Sequence, residues 1–447
     1  MAPTATSTLP NRCRRRSPAL DSRLWSGSMS PDGFATGSPR PSVRGCTPAP
    51  ASRWSSTTDS PAPSTSGPPW PLAPSVSIAA ASPKPHPDNN SADSRPQNHE
   101  RITTMTTNAA EPVKITTQTK FLVVGATGHV GSKIAILLAD KGFDVTALVR
   151  SDGAKIRDPY HGVIRYVTGD LADDASMAKA VEGIDVVVST ANGVVPQKKS
   201  DNAASVNDHA LGFIEICEKA DVQRFVQSST PSYPREQRVP ELAGKRRLEQ
   251  RLQQSPMQSV IVRNAAFMDV FLVFGGFKGA VDSSAHATVL RNHGFTKFWG
   301  SLTGNLAEKY GFFLAPGGAS HGTPIIATRD VAEMITGAAL YTGSEDLLIE
   351  ANGPQWLTWR QIADTIAATT GRSKVRIIPL PAGVAWLNQT LARPFSPSAA
   401  NIFALMGFVA EYQPHWDSAP VVEQLGLPPQ WTLADYLDHN CGAPAKR

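Results

Sequence analysis

The residues with the clearest chemical spacing are three glycines. Gly125, Gly128 and Gly131 follow directly on the apolar run Phe121-Leu122-Val123-Val124, and Ile134, Leu137 and Leu138 then repeat at helical spacing as far as Gly142. Strand, glycine turn and helix is the arrangement that receives a dinucleotide pyrophosphate. The first glycine makes the tight turn, the second lets the backbone approach the phosphates, and the third lets the helix pack on the strand. The helix N-terminus adds unpaired N–H groups and a positive dipole end. Ala126, Thr127, His129 and Val130 complete the turn and belong to the same candidate cofactor surface. Arg150 stands nineteen residues after Gly131, at the end of a second strand. An acidic residue there accepts from a ribose 2′-hydroxyl, whereas an arginine suits a 2′-phosphate, so NADP(H) is expected ahead of NAD(H). Ser151 and Lys155 stand close enough in sequence to assist, and Asp152 to oppose.

These residues need a scaffold, and the hydrophobic pattern supplies one. Further strands are expected over 163–167, 184–188, 225–229 and 260–263, with helices over 171–183, 203–220 and 245–254. Strands alternating with helices give a doubly wound parallel sheet with helices on both faces, an α/β fold of Rossmann type. Beyond Arg263 the alternation breaks down. Short strands near 324–327, 347–350 and 375–378 are mixed with helices over 331–341 and 358–370, and Asp330 is expected to cap the first of these helices. This part is expected to form a smaller lobe over the carboxyl ends of the strands, where a substrate would sit. Trp299, Trp356, Trp359, Trp386, Trp416 and Trp431 fall within it, and one or two of them lining a cleft would suit a flat, apolar or aromatic substrate.

Composition divides the chain. The first hundred residues hold nearly half of the 37 prolines together with many Ser, Thr and Ala. Such a stretch cannot bury enough apolar surface to offset its ordering entropy, so 1–112 is expected to be a disordered extension. The Rossmann core is then 113–263, and the remaining strands, helices and substrate lobe are 264–447. Residues 1–104 contain eleven of the 43 basic and six of the 38 acidic residues, which leaves 32 of each in the remainder. The net charge of +5 therefore belongs to the tail, and nucleic acid binding by the folded domain is not expected. Cys13, Cys46, Cys217 and Cys441 are too scattered for a disulfide framework or a zinc site, which fits a reducing compartment. No apolar run reaches membrane-spanning length. A cytoplasmic location is expected, or an organelle if the cluster Arg12, Arg14, Arg15 and Arg16 belongs to a transit peptide.

From about residue 118 to 350 the motifs resemble a known family. The glycine run, Leu148-Val149-Arg150, Gly169-Asp170-Leu171, Ser228-Ser229, Lys245 with Glu249, and Arg263-Asn264-Ala265-Ala266-Phe267-Met268 resemble the NmrA-like branch of the atypical short-chain dehydrogenase/reductases. That branch is itself similar to the isoflavone reductases. The resemblance implies a reductase that moves hydride from NADPH to a small apolar or aromatic substrate. It also implies an alternative, because the branch includes redox sensors that bind the nicotinamide cofactor without turnover and hold a transcriptional regulator. It implies that Asp170 and Leu171 meet the adenine end of the cofactor, that Ala191 and Asn192 pass its nicotinamide ribose, and that Ser228, Ser229 or Thr230 orients the substrate. The usual Tyr-x-x-x-Lys pair is missing. Lys245 has Glu241 four residues before it, and Tyr233 has Gln237 four residues after it. This departure weighs against ordinary carbonyl reduction and leaves Lys245 as the acid/base, as in the lone-lysine scheme of isoflavone reductases.

Overall fold

The computed structural model describes residues 102–105, 112–151, 162–194, 201–282, 284, 286–290, 294–413 and 417–441. The arginine cluster near the start, Cys13, Cys46, Asp152, Lys155 and Trp416 lie outside them. The strands are β1 (Ile102–Met105), β2 (Lys120–Val124), β3 (Asp144–Val149), β4 (Ile164–Thr168), β5 (Val186–Ser189), β6 (Arg224–Ser229), β7 (Gln258–Asn264), β8 (Ala266–Phe267), β9 (Phe312–Pro316), β10 (Gly322–Ile326), β11 (Asp346–Ala351), β12 (Trp356–Thr358) and β13 (Arg376–Leu380). The first six helices are α1 (His129–Asp140), α2 (Asp174–Ala180), α3 (Ala203–Lys219), α4 (Pro240–Leu252), α5 (Met268–Phe274) and α6 (Gly294–Thr303). They are followed by α7 (Thr328–Ala339), α8 (Trp359–Thr370), α9 (Ala382–Ala392), α10 (Pro397–Glu411), α11 (Ala419–Gln424) and α12 (Leu433–Cys441).

The main sheet has the order β1-β11-β7-β6-β5-β2-β3-β4. All its pairings are parallel except that of β1 with β11. Strand order reverses at β2, so the crevice at the carboxyl ends of β2 and β5 is the switch point where such sheets bind ligands. Both sheet faces are buried, as the continuous apolar runs require. Phe121 and Val123 face Ile134, Leu138, Val331 and Ile335 of α1 and α7. Leu122 and Val124 face the opposite layer, with Met177, Phe213, Ile214 and Leu248 of α2, α3 and α4. Fully burying one such side chain contributes about 1.5–3 kcal/mol. The lobe after β7 has its own core around Leu272, Phe313, Trp359, Ile362 and Tyr436.

Three details differ from the sequence reading. Within the expected extension, Ile102–Met105 pairs antiparallel with β11 at the sheet edge. Helix α4 begins at Pro240 rather than near Lys245, because a proline at the first helical position is pre-set for the helix. Asp330 does not cap α7, which starts at Thr328 behind Ala327. Its buried carboxylate instead accepts from the Trp431 N–H at 2.8 Å. Burial pushes that carboxyl up to about 6, against the pull of that N–H and of Arg329.

Candidate active site

The glycine turn closes as its spacing demands. The Gly128 N–H donates to Gly125 O at 2.8 Å, and Gly125 adopts φ +83°, a conformation that favours glycine. Thr190 at the end of β5 donates its hydroxyl to Val124 O at 3.1 Å, which ties the turn to the neighbouring strand. Helix α1 then opens on the groove with no acidic residue in its first turn, as an anion-binding end should. Gly125, Thr127, Gly128, His129, Val130, Leu148, Arg150, Leu171, Ala191 and Asn192 line this groove together. Ala126 and Gly131 lie behind it and shape the turn. The Asp170 side chain accepts from the Ala172 N–H at 3.2 Å and does not line the groove. Arg150 faces the groove and pairs with Asp201 at 2.5 Å.

The sequence did not reveal what holds His129. Its ring is buried, with Nδ1 at 3.2 Å from Asp269 and Nε2 at 2.9 Å from Asp282. Thr328 and Lys133 also meet Asp282, at 3.0 Å and 3.3 Å. The clamp thus fastens the start of α1 to the lobe. Burial pulls the imidazole down, but the hydrogen bonds and charges of Asp269 and Asp282 outweigh it, and the ring ends up above its ordinary value. Asp282 is held below the usual carboxylate range, burial opposing the His129 and Lys133 contacts that win. A raised histidine contributes stability below its unfolded pKa and loses it as pH rises through the folded one. The melting-temperature advantage of the unmodified protein over His129→Asn is therefore expected to be largest near about pH 6 and to narrow toward about pH 9. A constant gap across that range would show that folding does not raise the affinity of the ring for its proton.

Beyond the groove lies a second cavity of about 250 Å³. It is mainly apolar, with Phe267, Phe271, Phe274, Leu314, Leu405, Met406 and Phe408 in its wall. Of the tryptophans, Trp299 lines it, while Trp359 is fully buried in the lobe core. Thr190, Asn192, Ser228, Phe267 and Thr288 border both spaces, so groove and cavity meet end to end. Ser228, Ser229 and Lys245 all stand on the cavity wall.

Their partners differ. The Ser228 hydroxyl accepts from Asn264 Nδ2 at 2.8 Å, which leaves its own proton free to donate. Asn264 is a site residue the sequence reading passed over, although it belongs to the quoted motif. Ser229 donates to Glu249, which also accepts from Arg246 and, at 2.7 Å, from Arg263. Arg263 reaches on to Glu350 at 3.1 Å, and Arg246 donates to Thr230 O. This buried network fixes the loop after β6, and Ser229 is tied into it. Lys245 is buried and donates to Ala191 O at 2.6 Å. Burial pulls its ammonium down, while Glu241 and Glu249 oppose that shift. Tyr233 lies elsewhere and donates to Glu411, tying the loop to α10.

Fold and groove together define the class, an NAD(P)H-binding protein of Rossmann architecture. Residues 125–278 match the NAD(P)H-binding family model. Within that class its curated relatives include an NAD(P)H azoreductase and isoflavone reductase homologues, in keeping with the motif resemblance. It is 26% identical over 255 residues to an NAD(P)H azoreductase of Xenophilus azovorans, covering 56% of this chain and 74% of that protein. It is 39% identical over 118 residues to an isoflavone reductase homologue of Zea mays, covering 25% of this chain and 35% of that one. The chain thus spans about a third of the isoflavone reductase homologue. Among solved structures, the Citrobacter triphenylmethane reductase complexed with NADP(H) shares the fold at a TM-score of 0.53 and 15% identity, covering 72% of this chain and 99% of that one. An NADPH-dependent quinone oxidoreductase from Escherichia coli complexed with NADPH does so at 0.52 and 16%, covering 71% and 99%. No helix among the described residues is long and apolar enough to cross a membrane.

Proposed function

We propose that the protein is an NADPH-dependent reductase acting on a small, flat, apolar or aromatic acceptor such as a quinone, an azo compound or a conjugated enal. The observation that carries this reading is the continuity of the glycine-turn groove with the apolar cavity across Ser228 and Asn192. The residues present fit the cofactor: Gly125 lets the turn pack closely against Thr190 and Ala191, the first turn of α1 carries no acidic residue of its own, and a guanidinium lines the groove. When bound, NADPH supplies the hydride. The protein side of the chemistry is orientation by Ser228, whose hydroxyl is aimed by Asn264, and charge control by Lys245 beside the Ala191 carbonyl. The functional test is consumption of NADPH absorbance against a panel of quinones, azo dyes, enals and phenylpropanoids. Stoichiometric cofactor binding with no turnover of any of them would favour the sensor reading instead.

The cofactor choice has its own test. A charge-assisted contact is worth about 1.5–3 kcal/mol. Arg150→Ala is expected to weaken NADPH binding by about tenfold or more and to leave NADH nearly unchanged. Titration showing equal affinity of the unmodified protein for both cofactors would defeat the assignment.

A further inference from the structure

We propose that Glu241 is the proton donor of the site, taking the place of the absent tyrosine. The inference rests on the reductase reading above and names a residue within it. The described side chains on the cavity wall include no Tyr, His, Cys or Asp. Glu241 and Lys245 are the two that can hand over a proton near neutral pH. The Lys245 ammonium is engaged with Ala191 O. Glu241 is 1% exposed and stands on the same wall one helical turn before Lys245, with no basic side chain in an ion-pair contact with its carboxyl among the described residues. A carboxyl this deeply buried is costly as an anion, and carrying its proton removes that cost.

The electrostatics agree with the geometry. Burial pushes the Glu241 carboxyl up, and the charge of Lys245, the Gly193 N–H and the Asn207 amide oppose that push without overturning it. In the reaction, the π bond of the acceptor breaks. Hydride from the reduced nicotinamide forms a new bond at one end of it, and the Glu241 O–H bond breaks as its proton joins the other end. The carboxylate left behind faces the Lys245 ammonium, which stabilises it until water returns a proton. Acceptor, hydride and proton together give the reduced product, with oxidised cofactor and one proton taken from solvent.

Two acceptors separate this role from mere support. A neutral quinone needs hydride and a proton, whereas a cationic triarylmethane dye needs hydride alone. Glu241→Gln keeps the shape and is expected to lower kcat on the quinone by about 10²–10⁴ while leaving kcat on the dye within about threefold. The unmodified protein should lose quinone turnover as pH rises and Glu241 deprotonates, and the variant should lack that limb. Equal loss on both acceptors, or none on the quinone, would overturn the proposal. Infrared spectroscopy of the cofactor-bound protein gives a readout that needs no turnover. A buried protonated-carboxyl band should be present and should vanish in Glu241→Gln, and its absence from the unmodified protein would also overturn the proposal. Should Glu241→Gln fail to fold, Glu241→Asp keeps the acid and is expected to retain part of the quinone rate and the pH limb. No turnover of either acceptor by the unmodified protein would refute the reductase reading, with the infrared band still deciding the state of Glu241.

Discussion

Gly131→Val is expected to abolish measurable binding of both NADPH and NADH. A Cβ at Gly131 would stand 2.3 Å from Gly125 O and 2.7 Å from the Thr190 hydroxyl oxygen. The first of these is backbone and cannot rotate away, so the start of α1 must move off the glycine turn. The turn is also fastened from its far side by Thr190, which leaves little room for the shift to be absorbed. The pyrophosphate contacts depend on the turn and the helix end holding one geometry. Losing two charge-assisted hydrogen bonds of about 1.5–3 kcal/mol each weakens binding by about 10²-fold or more. Overpacking adds a stability cost of about 1–3 kcal/mol. Gly142→Ala is the matched control. Gly142 has φ +84° with nothing near its missing Cβ, so the variant is strained but remote from the groove. It is expected to lower the melting temperature while leaving NADPH affinity intact. Gly131→Val that binds NADPH with the original affinity would show that the turn is not the cofactor cradle.

The parts of this molecule legible in the sequence are those whose signal is local. The buried strands read as apolar runs, and the glycine turn reads from three positions within seven residues. The groove residues Gly125, Thr127, Gly128, Arg150, Leu171, Ala191 and Asn192 come together as their spacing and the family resemblance implied. What was hidden depends on partners far along the chain. Helix α4 is charged along its length and suggests a solvated face. Yet Glu241, Lys245, Arg246 and Glu249 are all buried. Their partners Arg263 and Glu350 arrive from β7 and β11, and no local pattern announces a charge that will be neutralised across a sheet. His129 reads as a neutral member of the turn for the same reason. The two aspartates that grip it lie 140 and 153 residues further on. Strand β1 was missed because its flanks are rich in Thr, Asn and Pro, and only pairing with β11 makes it a strand. Gly131 was read as a packing glycine, and the structure shows how tight that packing is.

The buried charges around the loop after β6 also explain why the site tolerates an unusual acid. Arg246 and Arg263 share Glu249, Arg246 also pairs with Glu236, and Glu350 is held by Arg263, so each arginine of this network is met by two carboxylates. It fixes Ser229 and Thr230, and its Glu249 also acts on the charge of Lys245. Glu241 and Lys245 face the cavity beside it. Breaking a balanced buried network by removing one member costs about 3–5 kcal/mol.

Lys245→Met is expected to lower kcat by about 10²–10⁴ on any acceptor that takes up a proton. Two contacts are lost at once. The Ala191 carbonyl loses a donor at 2.6 Å, and Glu241 loses the cation that stabilises its anionic form. Without that cation the Glu241 carboxyl holds its proton more tightly and gives it up more slowly. NADPH affinity is expected to fall far less than kcat, by about tenfold at most, because the phosphate contacts are made at the other end of the groove. Lys245→Arg is not expected to restore the rate. Its planar guanidinium is larger, presents its donors in a fixed fork rather than as one point charge at Ala191 O, and keeps its proton at neutral pH. The pair should also act as a unit. If Glu241 gives the proton and Lys245 supports the anion left behind, Glu241→Gln with Lys245→Met should cost little more than either change alone. Turnover at saturating NADPH, with cofactor dissociation constants measured separately, tests both parts. Full activity of Lys245→Met on a verified quinone substrate would remove Lys245 from the chemistry. Strictly additive losses in the double variant would mean that the two residues act on different steps.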